Sequence, residues 1–330
     1  MILYIFILFI LGTIFGSFSS VLVSRWKNKQ SGIFLGRSEC PKCKHILGGL
    51  ELIPIFSYLF QKGKCKNCSI KISKFYPFCE ILMGIIFVII FLANYKLGIT
   101  VFDISFWITL FFGFVIGVYT LYDLKYMEIP MQIMIPALLV VFGSFIYGYL
   151  SKNYSIFFEF HTFPTFPTFE IFLKNHLFGG LYLYTFIYLQ ILISGSLFLI
   201  RKKRYKEIFG LVLFYVSFFW DCFLDFFRPS KEEKKNDPEE EIETWVGAGD
   251  MMIAVFSGLT LGIIHGIASF FIAYILGSLI GIIYLIICKI QKKKSNHQIP
   301  FGPFLGAGWL MSFFFYSEIL EFVRILFFIG

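Results

Sequence analysis

Charge is scarce in this chain. Only 15% of its 330 residues are Asp, Glu, Lys or Arg, against roughly 25% in an ordinary soluble domain. Hydrophobic types make up 58% and aromatics 21%, and mean hydropathy is +0.77. The deficit excludes a soluble globular protein. Apolar stretches close to the ~20 residues needed to cross hydrocarbon recur along the chain, so the expected class is an all-α polytopic membrane protein embedded in the lipid bilayer. A basic region ahead of the first apolar run is also missing: in MILYIFILFILGTIFGSFSSVLVSRW and beyond, the cations Arg25, Lys27 and Lys29 come after the run. That order excludes an ordinary signal peptide and predicts an uncleaved anchor with its N-terminus outside. No aromatic-and-basic groove pattern accompanies the lysines and arginines, so nucleic acid is not an expected partner, and no long-period repeat is present.

What charge there is lies unevenly. Between Arg25 and Lys74 stand 11 Lys/Arg against two acids, Glu39 and Glu51, and further basic clusters occur at RKKRYK (201–206) and QKKK (291–294). By contrast, 96–103 and 151–176, which includes the short outer-loop stretch FPTFPTF (163–169), hold few cations. Cytoplasmic loops collect Lys and Arg. About eight spanning helices are therefore expected, near 3–24, 77–95, 104–122, 131–150, 177–200, 251–266, 268–289 and 304–322. Starting outside, they place 25–76, 123–130, 201–250 and 290–303 in the cytosol. The expected organisation is a first transmembrane helix (1–24), a cytosolic four-cysteine domain (25–76) and a membrane domain (77–330) with a cytosolic segment at 201–250. Within that segment, 207–229 has an apolar run too short to span and carries Asp221 and Asp225, which reads as a helix lying on the membrane or packed beside the bundle. KEEKKNDPEEEIET (231–244) has seven acids, three lysines and no apolar period, and reads as a solvated linker.

The cysteines of the first basic loop are paired in sequence: CPKC (40–43) and CKNC (65–68). Two intervening residues let both thiolates of a pair reach one ion from a tight knuckle, and two knuckles supply the four sulfurs of a tetrahedral zinc site. A reducing cytosol disfavours two disulfides instead. With Cys40, Cys43, Cys65 and Cys68 all used, no position stays open for a metal-bound water, so the expected zinc is structural. Cys79, Cys222 and Cys288 stand in apolar surroundings and read as packing residues.

Two aspartates stand where apolar spans end. Asp123 closes the third span in VYTLYDLKYMEIP (118–130), and Asp250 opens the sixth in TWVGAGDMM (244–252). An acid at the edge of a span is costly and marks a functional site by default. Two close carboxylates resist double ionisation and share a proton. One can then act as base toward water while the other protonates or hydrogen-bonds a scissile carbonyl. Gly247 and Gly249 would permit positive φ and close approach of a substrate backbone, and the N-terminal end of the following helix favours the Asp250 charge. Lys125 and Glu128 beside Asp123 read as solvated. Glu80 reads as an acid at a helix start that could pair with the cysteine loop or touch substrate. Glu51 reads as a surface carboxylate, and His265 as an interfacial residue.

Taken together, these segments resemble the prepilin leader peptidases, membrane-embedded aspartic proteases of the GxGD type. GSFSSVLVSR (16–25), SECPKCKHILGGLELIPIFSYL (38–59), GKCKNCSIKISKFYPFCEIL (63–82), YDLKYMEIP (122–130), GAGD (247–250) and QIPFGPFLGAG (298–308) occur in the family's order. The resemblance implies an enzyme of the bacterial inner membrane that removes the leader from type IV prepilins or pseudopilins at the cytosolic face, with Asp123 and Asp250 catalytic. It further implies possible N-methylation of the new N-terminus from S-adenosylmethionine, associated with the cysteine loop around Glu51. The chain departs from the family pattern at Ser20 (usually Asn), Gly49 (commonly Trp), Phe75 (frequently basic), Met131 (often an acid) and Met252 (often Lys), and carries an unusual insertion at 207–245. A non-catalytic membrane assembly or transport protein on the same scaffold, or a GxGD peptidase with other membrane substrates, is the alternative.

Overall fold

Long apolar runs fold as α-helices in a computed structural model of the protein, which describes residues 1–28, 36–151, 169–213, 217–218, 244, 246–291 and 299–327. The chain divides into two units, Met1–Tyr126 and Met127–Gly330. Among the described residues there is no β-strand, only isolated bridges, and six helices are long and apolar enough to cross a membrane.

The first unit contains α1 (Ile2–Lys27), the short α2 (Phe56–Phe60), α3 (Phe75–Lys96) and α4 (Ile104–Tyr126). Small residues set how closely α1 and α3 approach: a methyl on Gly12 would lie 2.7 Å from Gly84 Cα, and one on Gly16 would lie 2.6 Å from Glu80 Cα. With no hydrophobic drive between helices in lipid, such close backbone packing is a main source of association. The buried α4 carries Phe112, Val115, Val118, Tyr119 and Leu121 in its core. Near its end, Leu121 and Tyr122 cluster with Val23 and Cys79. Deeper in, the Asn94 amide of α3 donates to Thr109 Oγ1 of α4 at 2.9 Å.

The second unit contains α5 (Met131–Ser151), α6 (Phe169–Arg201), α7 (Ala248–Ile290), α8 (Gly302–Phe314) and α9 (Tyr316–Phe327). The α7 run is interrupted at Gly262, whose φ of 74° and ψ of −178° belong to a region open essentially to glycine alone. There the chain doubles back: a methyl on Gly266 would lie 3.4 Å from Gly258 Cα, whereas eight residues of straight helix would separate them by ~12 Å. Thus α7 is a helical hairpin with arms Ala248–Leu261 and Ile263–Ile290. Asn175 of α6 plugs the turn, its Oδ1 accepting the Ile263 N–H at 3.3 Å. Above it, α6 crosses on glycine: a methyl on Gly179 would lie 2.8 Å from the Gly258 carbonyl oxygen. The bend therefore falls at Gly262 and not at residue 267, where division of the apolar run between 251–266 and 268–289 put it.

Two further boundaries differ from expectation. Helix α6 begins at Phe169, ahead of the expected 177. The expected last span, 304–322, is broken at Phe315 into α8 and α9. At ~1.5 Å per residue α8 is about 20 Å long, short of the ~30 Å hydrocarbon thickness. In α9 the polar residues Ser317, Glu318, Glu321 and Arg324 recur at helical spacing, the pattern of a helix lying in an interface. His265, expected at the interface, is buried: its Nε2 lies 3.0 Å from the Tyr316 carbonyl oxygen, and its ring stacks on Tyr316 at 3.6 Å. Residues 207–213 are helical. Asp221, Cys222, Asp225, the acidic stretch 231–243 and nearly all of 163–169 lie outside the described residues, as do 292–294 of the last basic cluster.

Candidate functional site

The cysteine loop consists of two matching knuckles. Cys40 N–H donates to His45 O at 2.9 Å and Lys44 N–H to Cys40 O at 3.0 Å; correspondingly, Cys65 N–H donates to Ile70 O and Ser69 N–H to Cys65 O, both at 2.9 Å. Lys44 and Ser69 occupy the same left-handed position, with φ of 56° in each. The short-range repetition was not evident in sequence beyond the cysteine pairs. It brings the four sulfurs together within 4.8 Å of one another, with Cys40 Sγ 3.7 Å from Cys68 Sγ and Cys43 Sγ 3.9 Å from Cys65 Sγ. A tetrahedron of Zn–S bonds of ~2.3 Å has sulfur–sulfur edges of about 3.8 Å. The cluster therefore fits zinc.

Electrostatics agree with that fit. Backbone N–H groups of Cys43 and Lys42 pull the Cys40 thiol down to about 6. The His45 N–H is the main influence lowering Cys43. Cys68 receives the Ile70 N–H, yet burial and the three neighbouring sulfurs push it up to about 11. Four thiolates cannot coexist at this spacing without a cation among them. Glu51, one of the two readings for which was a surface carboxylate, is instead tied into the loop: its Oε2 accepts the Gly48 N–H at 2.9 Å and lies 3.1 Å from His45 Nε2. The Gly48 N–H, followed by His45, lowers its pKa.

Glu80 lies within α3 and is 7% exposed. Its Oε2 accepts the backbone N–H of Ile55 at 2.6 Å, and Ser17 is a second hydrogen-bonding neighbour. Glu80 thus pairs with the cysteine loop, one of the roles open to it in sequence. Ile55 has φ 62° and ψ −53°, and the next N–H closes back on Pro54 O at 2.6 Å. A γ-turn of this hand is rare and strained, the more so at a β-branched residue. Nothing in ELIPIFSYL announces it; only the distant carboxylate that holds its N–H explains its persistence.

Both aspartates are buried at 6% exposure, Asp123 near the end of α4 and Asp250 in the first turn of α7. Asp250 Oδ2 accepts the Gly247 N–H at 3.0 Å, and the Asp250 N–H donates to Gly247 O at 3.1 Å, a reciprocal cap. Neither glycine uses a positive φ. Gly247 has an ordinary extended backbone (φ −74°, ψ 150°), and Gly249 is helical. The space a side chain at Gly249 would need is filled by Ile129: a methyl there would lie 2.7 Å from Ile129 Cγ1. Hence the second glycine admits the Ile-Pro segment that follows Asp123 in sequence, rather than leaving an open channel. Lys125 and Glu128 are exposed, as expected; the Lys125 ammonium lies 4.7 Å from the Phe75 ring centroid. Cys79 and Cys288 are buried, in keeping with packing roles.

Comparison with known proteins extends these observations. Residues 10–94, which hold most of α1, the cysteine loop and most of α3, match the family model for the bacterial peptidase A24 N-terminal domain. The chain is 25% identical over 316 residues to the prepilin leader peptidase/N-methyltransferase of Bacillus subtilis, covering 96% of each chain. To the protein of that name in Legionella pneumophila it is 23% identical over 289 residues, 88% of this chain and 76% of the other. Over 85 residues it reaches 41% identity with the one from Myxococcus xanthus, 26% of this chain and 25% of the other. No solved structure matches. The chain is a polytopic helical relative of the prepilin leader peptidase/N-methyltransferases and resembles them along nearly its whole length.

Proposed function

We propose that this protein is an aspartic endopeptidase of the bacterial inner membrane that removes the leader peptide from type IV prepilins or pseudopilins. The observation that carries the reading is the burial of two aspartates at span ends in a chain similar from end to end to a prepilin leader peptidase/N-methyltransferase. In the proposed reaction Asp123 and Asp250 share one proton, because two ionised carboxylates at short range repel strongly. The ionised member takes a proton from water as it attacks the scissile carbonyl carbon, and the protonated member donates to the carbonyl oxygen. The tetrahedral intermediate then collapses, the C–N bond breaks and the leaving amine is protonated, restoring the pair. The reciprocal cap through Gly247 holds the Asp250 carboxylate, and the helix N-terminus favours its ionised form. The contact of Gly249 with Ile129 supports the reading, since it places the segment following Asp123 beside the turn that carries Asp250.

Orientation follows from charge. In the second unit α6 and the second arm of α7 run the same way from the plugged turn, so Arg201 and Lys289 end at one side. By the positive-inside rule we assign that side, the cysteine loop 25–76 and the active site to the cytosol, and the N-terminus to the outside. Zinc held by Cys40, Cys43, Cys65 and Cys68 supplies cross-linking of a loop too small for a core of its own. Methylation of the new N-terminus from S-adenosylmethionine is a second proposed activity, favoured by the names of the relatives. Gly49, where the family commonly has Trp, leaves open space, so methyl transfer is expected to be weaker than cleavage. Asp123→Asn and Asp250→Asn should each abolish processing of a co-expressed prepilin while the protein still inserts; normal processing by either variant would refute the assignment.

A further inference from the structure

The hairpin of α7 fixes what lies level with Asp250. Gly258 and Gly266 meet across the turn, symmetric about Gly262. Carrying the register outward sets Asp250 level with Tyr274, and the Asp250 carboxylate acts electrostatically on that tyrosine. Tyr274 Oη donates to Gln190 Oε1 of α6 at 2.8 Å, and Phe301 of the Ile-Pro-Phe-Gly-Pro segment packs on the Tyr274 ring at 5.0 Å. This polar layer is recessed. It lies ~18 Å from the turn, and the second arm continues about 24 Å beyond it toward Ile290.

The same pair lines an apolar cavity of about 560 Å³ between α6 and the second arm, with Phe186, Phe270, Phe271 and Ile275. The cavity opens sideways on the apolar surface of the unit: Phe271 is 69% exposed and Ile275 50%. With its oxygen engaged by Tyr274, Gln190 presents two amide N–H donors that have no acceptor among the described residues. Unsatisfied donors in an apolar, water-poor setting are costly. An intact helix uses its own carbonyls and could not relieve that cost. An apolar segment locally unwound could, because its backbone carbonyls are free.

We infer that Gln190 and Tyr274 form a substrate-backbone subsite. An apolar segment of the substrate enters the groove laterally from the bilayer, and the Gln190 amide donates to one of its carbonyls beside the scissile bond. Tyr274 fixes the amide's orientation. Both are positioning residues, and the inference rests on the peptidase reading with Asp250 in the active site.

The test uses full-length enzyme in phosphatidylethanolamine–phosphatidylglycerol vesicles with a purified prepilin. Gln190→Leu and Tyr274→Phe should each raise KM about three- to tenfold, the loss of one neutral hydrogen bond. They should leave kcat within about twofold, as expected for uniform binding. Tyr274→Phe keeps the ring and its packing. A photo-reactive benzophenone side chain in place of the exposed Phe271, in an Asp250→Asn background with Gln190 intact, should cross-link the apolar segment next to the cleavage site. Cross-links to lipid alone, or wild-type KM in both variants, would overturn the subsite while leaving the peptidase assignment standing. Cleavage by Asp250→Asn itself would instead strike the peptidase reading.

Discussion

Substituting Gly262 by Ala tests the helical hairpin, from which the depth of Asp250 and its position level with Tyr274 follow. At φ 74° and ψ −178° a residue with a Cβ is strained by about 1–3 kcal/mol. The added methyl would also overlap Asn175 Nδ2 and lie 3.3 Å from Asn175 Cγ. Displacing that side chain releases the Ile263 N–H from Asn175 Oδ1, a further cost of about 1–3 kcal/mol where the donor is shielded from water. Together the two effects predict a loss of about 2–6 kcal/mol. By the scaling for chains of this unit's size, that corresponds to a fall of roughly 4–24 °C in melting temperature. The assay is thermal unfolding in detergent, followed by the fraction that stays monodisperse. Gly143→Ala is the control: this glycine is exposed within α5, and nothing lies within 4 Å of an added methyl. It should be neutral or stabilise by about 0.5–1 kcal/mol. A double variant with Asn175→Ala should lose less than the sum of the single losses, because the overlap and the hydrogen bond involve the same side chain. If Gly262→Ala melts with Gly143→Ala, the chain does not turn at Gly262 and the register argument fails with it.

The remaining predictions concern the first unit. Purified protein should carry about one zinc per chain, lost when Cys40 and Cys65 are both replaced by Ser; unchanged metal content would remove the site. Because bound sulfurs must be thiolates, and Cys68 sits at about 11 without a cation, metal retention should weaken as pH falls through and below about 6, where Cys40 also takes up its proton. Retention that is flat from pH 8 to 5 would contradict four-thiolate binding. Glu80→Ala should release the Ile55 N–H and undock the strained turn, at a cost of about 1.5–3 kcal/mol for a hydrogen bond to a charged group. Hydrogen exchange at Ile55 and Phe56 should then accelerate, while Glu80→Gln, which keeps an acceptor, should change less; equal exchange in all three proteins would refute the clasp.

How much of this was legible in sequence depended on the range of the interaction. The spans could be read because an apolar run is a local property, and the cysteine cluster because two-residue spacing dictates a knuckle. The position of the α7 turn was not: two spans were expected there, divided at 267 and not at Gly262. Gly258, Gly262 and Gly266 recur every four residues, a spacing that reads as one helix face, and only the crossing by Gly179 and the plug by Asn175 show that the middle glycine bends while its neighbours pack. The break at Phe315 lies in an aromatic run with no Gly or Pro to mark it, and α9 is recognisable only by the spacing of Glu318, Glu321 and Arg324. Asp250 stood out as a charge at a span's edge, whereas its depth came from hairpin register. The partnerships of Glu80 with Ile55 and of Gln190 with Tyr274 join residues 25 and 84 positions apart, and no local pattern in a single sequence reports them.

The most direct test of the central claim is mass spectrometry of a prepilin N-terminus after co-expression with the intact enzyme, with Asp123→Asn and with Asp250→Asn. The intact enzyme should yield a chain shortened by its leader through hydrolysis of one peptide bond, with a fraction heavier by one methylene if methyl transfer is retained. Each variant should yield the full-length prepilin alone. Shortened prepilin from either variant, or full-length prepilin from the intact enzyme, would contradict cleavage by an aspartate pair.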